Sequence, residues 1–103
     1  MKEIKAIIKP FQLEKVVDAL RPIPRLPAVT ISPAHGLSAE RGTFEQVVKT
    51  KLEIVVSDGL VEPVVRAILG AAHTGNSGDG KIFVLPVEEV VKIRTGQRGE
   101  EAI

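Results

Sequence analysis

The sequence predicts an α+β domain of the ferredoxin-like plan: a βαβ unit used twice, giving an antiparallel sheet with two helices on one face. Three observations carry this: an internal repeat, helical spacing within each copy, and apolar runs without that spacing. Displacing Ile7–Leu20 by 48 positions lays it on Val55–Ile68. Glu14, Val16, Val17 and Ala19 then meet the identical Glu62, Val64, Val65 and Ala67. Ile7, Ile8, Leu13 and Leu20 meet Val55, Val56, Val61 and Ile68. Each copy reads as an apolar strand, a short turn and an amphipathic helix.

Leu13, Val16, Val17 and Leu20 fall at i, i+3, i+4 and i+7, one face of a helix, and Val61, Val64, Val65 and Ile68 repeat it. Pro63 requires the second helix to start near Gly59 or Leu60, so that proline stays in the first turn. Leu52–Val56 and Ile82–Val87 lack helical period and read as strands. Each helix is followed by a further strand, Ala28–Ile31 in the first half and Lys81–Leu85 in the second. The proline-rich Arg21–Pro27 reads as a rigid extended connector. A last short strand is expected at Val90–Arg94.

At 103 residues the chain is expected to form one domain, 1–103, small enough that association would help complete its core. Hydrophobic content of 44% and charged content of 26% are ordinary for a folded soluble protein. A net charge of +1 offers no general attraction to nucleic acid or acidic lipid. Three Phe as the sole aromatics give no platform for stacking bases. Without cysteine there is no disulfide, thiolate metal site or thiol nucleophile. Neither a signal-peptide pattern nor an apolar run of about 20 residues is present, so a cytoplasmic protein without membrane insertion is expected.

The chemistry concentrates in Thr74-Gly75-Asn76-Ser77-Gly78-Asp79-Gly80-Lys81. Three glycines and a lysine bring backbone N–H groups and a cation toward an anion. The spelling approaches a P-loop, but Ile82 stands where Mg²⁺ coordination needs Ser or Thr, and the segment leads from a helix into a strand. On a strand, Lys92 and Arg94 would share one face. By periodicity alone this is either an anion site with Lys81 or a solvated edge balanced by Glu88 and Glu89.

Gly-Asp-Gly-Lys-Ile-Phe-Val at 78–84 and Ile93-Arg94-Thr95-Gly96 resemble the C-terminal signature of the P-II signal-transduction family. Ile7-Ile8-Lys9-Pro10-Phe11 and the closing Arg98–Ile103 resemble that family's two ends, and the likeness lapses only near Ser38–Val48. The resemblance implies a homotrimer with inward-facing sheets that binds ATP or ADP in clefts between subunits, with Mg²⁺ accompanying ATP. Lys81, Lys92 and Arg94 would hold phosphates, Lys92 replacing an arginine and losing its bidentate grip. Gly78, Asp79 and Gly80 would pack backbone on the nucleotide, and Thr30 would bond adenine. Ile7 and Val55 would line the base, while Glu53 would meet the ribose and base edge. Gly36, Leu37 and Ser38 fall on a Gly-Phe-Gly whose backbone covers the phosphates; Ser38 would be strained if that position needs a positive φ.

Family members carry a long T-loop with a uridylylated tyrosine, and this chain has no tyrosine and a shorter loop, Ala39–Val48. Uridylylation is therefore excluded. Lys49 falls on a lysine that pairs with 2-oxoglutarate, and Glu40 on a glutamine that helps hold Mg²⁺. A glutamate there can ligate Mg²⁺ but repels the anionic oxoglutarate, so nucleotide binding without a strong oxoglutarate response is expected. The output would be contact with a protein target, such as a membrane transporter or a metabolic enzyme.

Two other functional classes compete with this reading. His35 and His73 lack metal-ligand spacing, although trimers of the related CutA architecture could gather one per subunit. Short-loop P-II relatives associated with metal efflux or bicarbonate have segments similar to Ala72–Gly75 and Leu26–Thr30, so a trimer responding to a metal or a small anion is the alternative. Enzymatic function is not expected: no nucleophile elbow or triad spacing is present, and Asp79 and Glu53 could at most position water for slow ATP hydrolysis.

Overall fold

The computed structural model describes residues 1–38 and 45–103, and alternation along two strands decides which side of its sheet is dry. On β1 (Lys2–Ile8) the buried residues are Ile4, Ala6 and Ile8; on β3 (Glu45–Val56) the buried apolar residues are Leu52, Ile54 and Val56. All point to one face, because side chains alternate along a strand. Two helices, α1 (Leu13–Leu20) and α2 (Val61–Ala72), pack against each other over that face. They contribute Val16, Leu20, Val64, Ile68 and Ala72 to the same core. Fully burying a Val, Leu or Ile side chain is worth about 1.5–3 kcal/mol, so this layer supplies most of the driving force.

The order is β1-α1-β2-β3-α2-β4, with β2 at Thr30–Ser38 and β4 at Gly80–Pro86. The strands lie as β2-β3-β1-β4, all antiparallel. This is the ferredoxin-like arrangement. The repeat extends into the turns: Pro10–Gln12 and Asp58–Leu60 are both 3₁₀ turns, 48 residues apart, each leading directly into a helix. The second explains Pro63, which sits within the first turn of α2, where its missing N–H has no partner to lose. Glu14 and Glu62 lie in the first turns, favourably placed at the positive ends of the helix dipoles.

Three sequence expectations need correction. The second strand runs Thr30–Ser38, not Ala28–Ile31, because hairpin pairing with β3 carries it onward. Pro33 is tolerated there because β2 is an edge strand and can spare its N–H. The Arg21–Pro27 connector is not extended: it turns at 21–25, with the Ile23 N–H bonded to the Leu20 carbonyl and Arg25 at φ 57°. Most consequentially, Val90–Arg94 is not a strand. The ladder ends at Pro86 and the Val87 N–H to the Met1 carbonyl; beyond it a tight turn over 93–95 is closed by a single bridge between Val91 and Arg98. Among the described residues of one chain that segment has no neighbouring strand to complete it.

Two glycines give a test of the backbone argument. Gly80 has φ 98°, and a Cβ on it would stand 1.7 Å from the Ile7 carbonyl oxygen. Gly70, inside α2, has open space at its Cβ position and no positive φ. Gly80→Ala should cost about 3 kcal/mol or more, by forcing β4 off β1, whereas Gly70→Ala should stabilise by about 0.5–1 kcal/mol. Urea unfolding of both variants checks the opposite signs.

Candidate functional site

The glycine turn is organised by one carboxylate. Asp79 accepts from the N–H groups of Thr74 (2.8 Å) and Gly75 (2.9 Å) and from the Thr74 hydroxyl. Lys9 Nζ lies 3.0 Å from the same carboxylate and 3.2 Å from the Thr74 hydroxyl oxygen. His73 Nδ1 is more distant, at 3.9 Å. The Thr74 hydroxyl and N–H, with Lys9 and the Gly75 N–H, hold the Asp79 carboxyl far below the usual carboxylate range. Its oxygens are committed within the turn, so the water-positioning role considered from sequence does not fit them.

This turn forms one wall of a cavity of about 740 Å³, which also takes in Lys9, Gly36, Leu37, Lys49 and Lys81. The Lys49 ammonium donates to the Gly78 carbonyl, tying β3 to the turn. Lys81 sits on the helix-free face of the sheet, level with Ile7, and is exposed. Three lysines therefore meet backbone and apolar surface (Phe11, Leu37, Val47 and Val48) in one recess.

Thr30, Glu53 and Val55 lie elsewhere. They line a second cavity, of about 390 Å³, with Glu3 and Ile103. Thr30 and Gly36 are six residues apart on β2, so the two cavities are separated by about 20 Å along the strand. In the second cavity a hydrogen bond links the carboxyls of Glu3 and Glu53; it raises the pKa of Glu3 and lowers that of Glu53.

A family model described as nitrogen regulatory protein P-II matches residues 1–97. The chain belongs to the P-II family. It is similar to nitrogen regulatory protein P-II of Azospirillum brasilense, 47% identical with both chains fully covered, and to that of Rhodospirillum rubrum, 45% identical with the same coverage. A crystal structure of Arabidopsis thaliana PII bound to citrate superposes with a TM-score of 0.85 at 44% identity, covering 99% of this chain and 91% of that one. The bacterial alignments span 113 positions against 103 residues, so ten positions have no counterpart in this P-II chain.

Of the residues singled out from the P-II resemblance, the structure gathers Gly36, Leu37, Lys49 and Gly78–Lys81 in the larger cavity. It gathers Thr30, Glu53 and Val55 in the smaller one. Ile7 lines neither; it lies on the helix-free face between Lys51 and Lys81. Lys92 and Arg94 also line neither, being carried on the tail turn beyond the opposite end of β4 from Lys81. Ser38 belongs to extended β2 opposite Glu45, so its backbone does not need the glycine-only conformation. Lys49 is a strand residue opposite Ala34, and β3 begins at Glu45, which confines the connection between β2 and β3 to 39–44. Glu40 lies outside the described residues. Among the described residues no group of three or more His, Cys, Asp or Glu side chains is placed to hold a metal ion.

Lys9 and Glu3 were missed from sequence. Extending the β1–β4 register by one residue brings Lys9 level with Asp79, a signal available only once that pairing is known. Because the Asp79 carboxyl is held so low, its stabilising bonds are fully present at neutral pH and fade as pH falls below about 4, toward its folded-state value. Asp79→Asn should therefore melt at a lower temperature than the parent at pH 7, with the gap narrowing at about pH 2. Thermal melts at the two pH values check this.

Proposed function

We propose that this chain is a regulatory P-II protein that binds ATP or ADP between neighbouring copies of a homotrimer and signals through protein contact. The observation that carries the reading is the division of the candidate residues. The phosphate half, Gly36–Ser38 and Gly78–Lys81, and the base and ribose half, Thr30, Glu53 and Val55, occupy separate ends of one sheet. A site needing both is completed when one copy's phosphate half faces a neighbour's base half. The same docking would bring Lys92 and Arg94, on their turn, toward another copy's Lys81. The helix-free sheet face, with Phe83 44% exposed, is the surface such an assembly would cover.

Chemically, backbone N–H groups at 78–80 and the Lys81 ammonium suit a polyphosphate. Lys92 supplies charge without a bidentate grip, and Mg²⁺ would accompany ATP with Glu40 as a possible ligand by resemblance. Citrate in the Arabidopsis neighbour is a carboxylate anion, which favours keeping small anions as the second reading. The role is regulatory without catalysis, and uridylylation is ruled out by the lack of tyrosine. No helix is long and apolar enough to cross a membrane among the described residues; a cytoplasmic location and a transporter or metabolic enzyme as target complete the proposal.

Calorimetric titration with ATP and ADP tests the reading, together with light scattering for a trimer. Lys81→Ala should weaken ATP binding by about 10- to 100-fold, the loss expected for a charge-assisted phosphate contact. An unchanged affinity would remove Lys81 from the site. Adding 2-oxoglutarate with Mg-ATP should give little further heat, and micromolar binding would overturn that expectation.

A further inference from the structure

We propose that Thr74 is a positioning residue for the candidate phosphate site, its hydroxyl fixing the glycine turn from behind without touching the ligand; this rests on the nucleotide reading above. Thr74 follows His73, the residue at which α2 ends, and is not among the residues lining the 740 Å³ cavity. A threonine hydroxyl has one proton to give and two lone pairs to receive with. All three are in use here. The O–H donates to Asp79 Oδ1, while its oxygen accepts from Lys9 Nζ and from the Asn76 N–H, each at 3.2 Å. The Thr74 backbone N–H adds a bond of 2.8 Å to Asp79 Oδ2.

One hydroxyl thus joins three parts of the fold: Lys9 just beyond β1, the exit of α2, and Asp79 just before β4. The Lys9 and Asp79 side chains are 16% and 22% exposed, so these charge-assisted bonds are partly shielded from water. The hydroxyl also sorts the backbone donors of the turn. The N–H groups of Thr74 and Gly75 are taken by Asp79, and that of Asn76 by the Thr74 oxygen. Among the described residues the next two N–H groups, of Ser77 and Gly78, have no such partner, and both residues line the cavity. On the far side Lys49 donates to the Gly78 carbonyl, so the segment between Asn76 and Gly78 is tied at each end. Removing the hydroxyl frees the Asn76 end, and the N–H groups that follow it lose the direction an anion needs.

Calorimetric titration with ATP tests this on the parent, on Thr74→Val, which keeps the shape without the hydroxyl, and on Thr74→Ser, which keeps the hydroxyl. Thr74→Val should lose about 10-fold in affinity and Thr74→Ser should stay within about twofold of the parent. No loss in Thr74→Val, or an equal loss in Thr74→Ser, overturns the proposal. Should Thr74→Val fail to fold, Thr74→Ala removes the same hydroxyl and carries the same expectation. NMR of the ligand-free chain supplies the second readout. In Thr74→Val the Asn76 amide should exchange faster with solvent, and the Asp79 carboxyl should titrate closer to an ordinary carboxylate, both reverting in Thr74→Ser. Weakened ATP binding with an unchanged Asn76 amide and Asp79 titration would mean that the hydroxyl meets the ligand directly, which also overturns the positioning role. A parent that binds neither ATP nor ADP refutes the nucleotide reading, and this role with it.

Discussion

The approach of the Ile7 carbonyl to the Cα of Gly80 is the contact on which the rest of this molecule depends. It holds β4 against β1 from its first residue, in a backbone conformation that L side chains rarely adopt. From that register follow the position of Lys81 beside Ile7 and the meeting of Lys9 with Asp79. The glycine turn is thus an anchored structure, held at one end by strand pairing and at the other by α2.

The sheet has two faces with different fates. One is closed by the helices, and its residues are among the least exposed in the chain. The other carries a mixed row of charges, Glu3, Lys5, Lys51 and Glu53, flanked by Phe83, Leu85 and Ile7. Such a face is too apolar at its margin to be indifferent to association and too charged at its centre to be a simple core. Charges there can set the register between copies and at the same time present hydrogen-bonding groups to a ligand. Membership of the P-II family gives this duality a regulatory sense.

Much of the fold was legible because the repeat and the helical period are local properties. Leu13, Val16, Val17 and Leu20 announce their helix without reference to anything distant, and Val61–Ile68 repeats it. Pro63 even located the start of α2 correctly. Two of the three errors fell where a strand depends on its partner. β2 reaches Ser38 through Pro33 because β3 lies beside it on one side only, and Val90–Arg94 fails as a strand because, among the described residues, the lone Val91–Arg98 bridge is its only pairing. The site was legible in composition and illegible in geometry. Lys81, Gly78 and Gly36 meet, while Thr30, Glu53 and Arg94 do not join them in one chain.

By itself the sequence determined the family, the two-fold βαβ plan, the absence of tyrosine and the glycine turn with its lysine. Each of these is written in residue identity or in short-range spacing. Tertiary structure alone decided that Asp79 serves the turn, that Lys9 completes it, and that Glu3 stands beside Glu53. The last two pairings join residues 70 and 50 positions apart, and only the antiparallel registers of β1 with β4 and β3 bring them together.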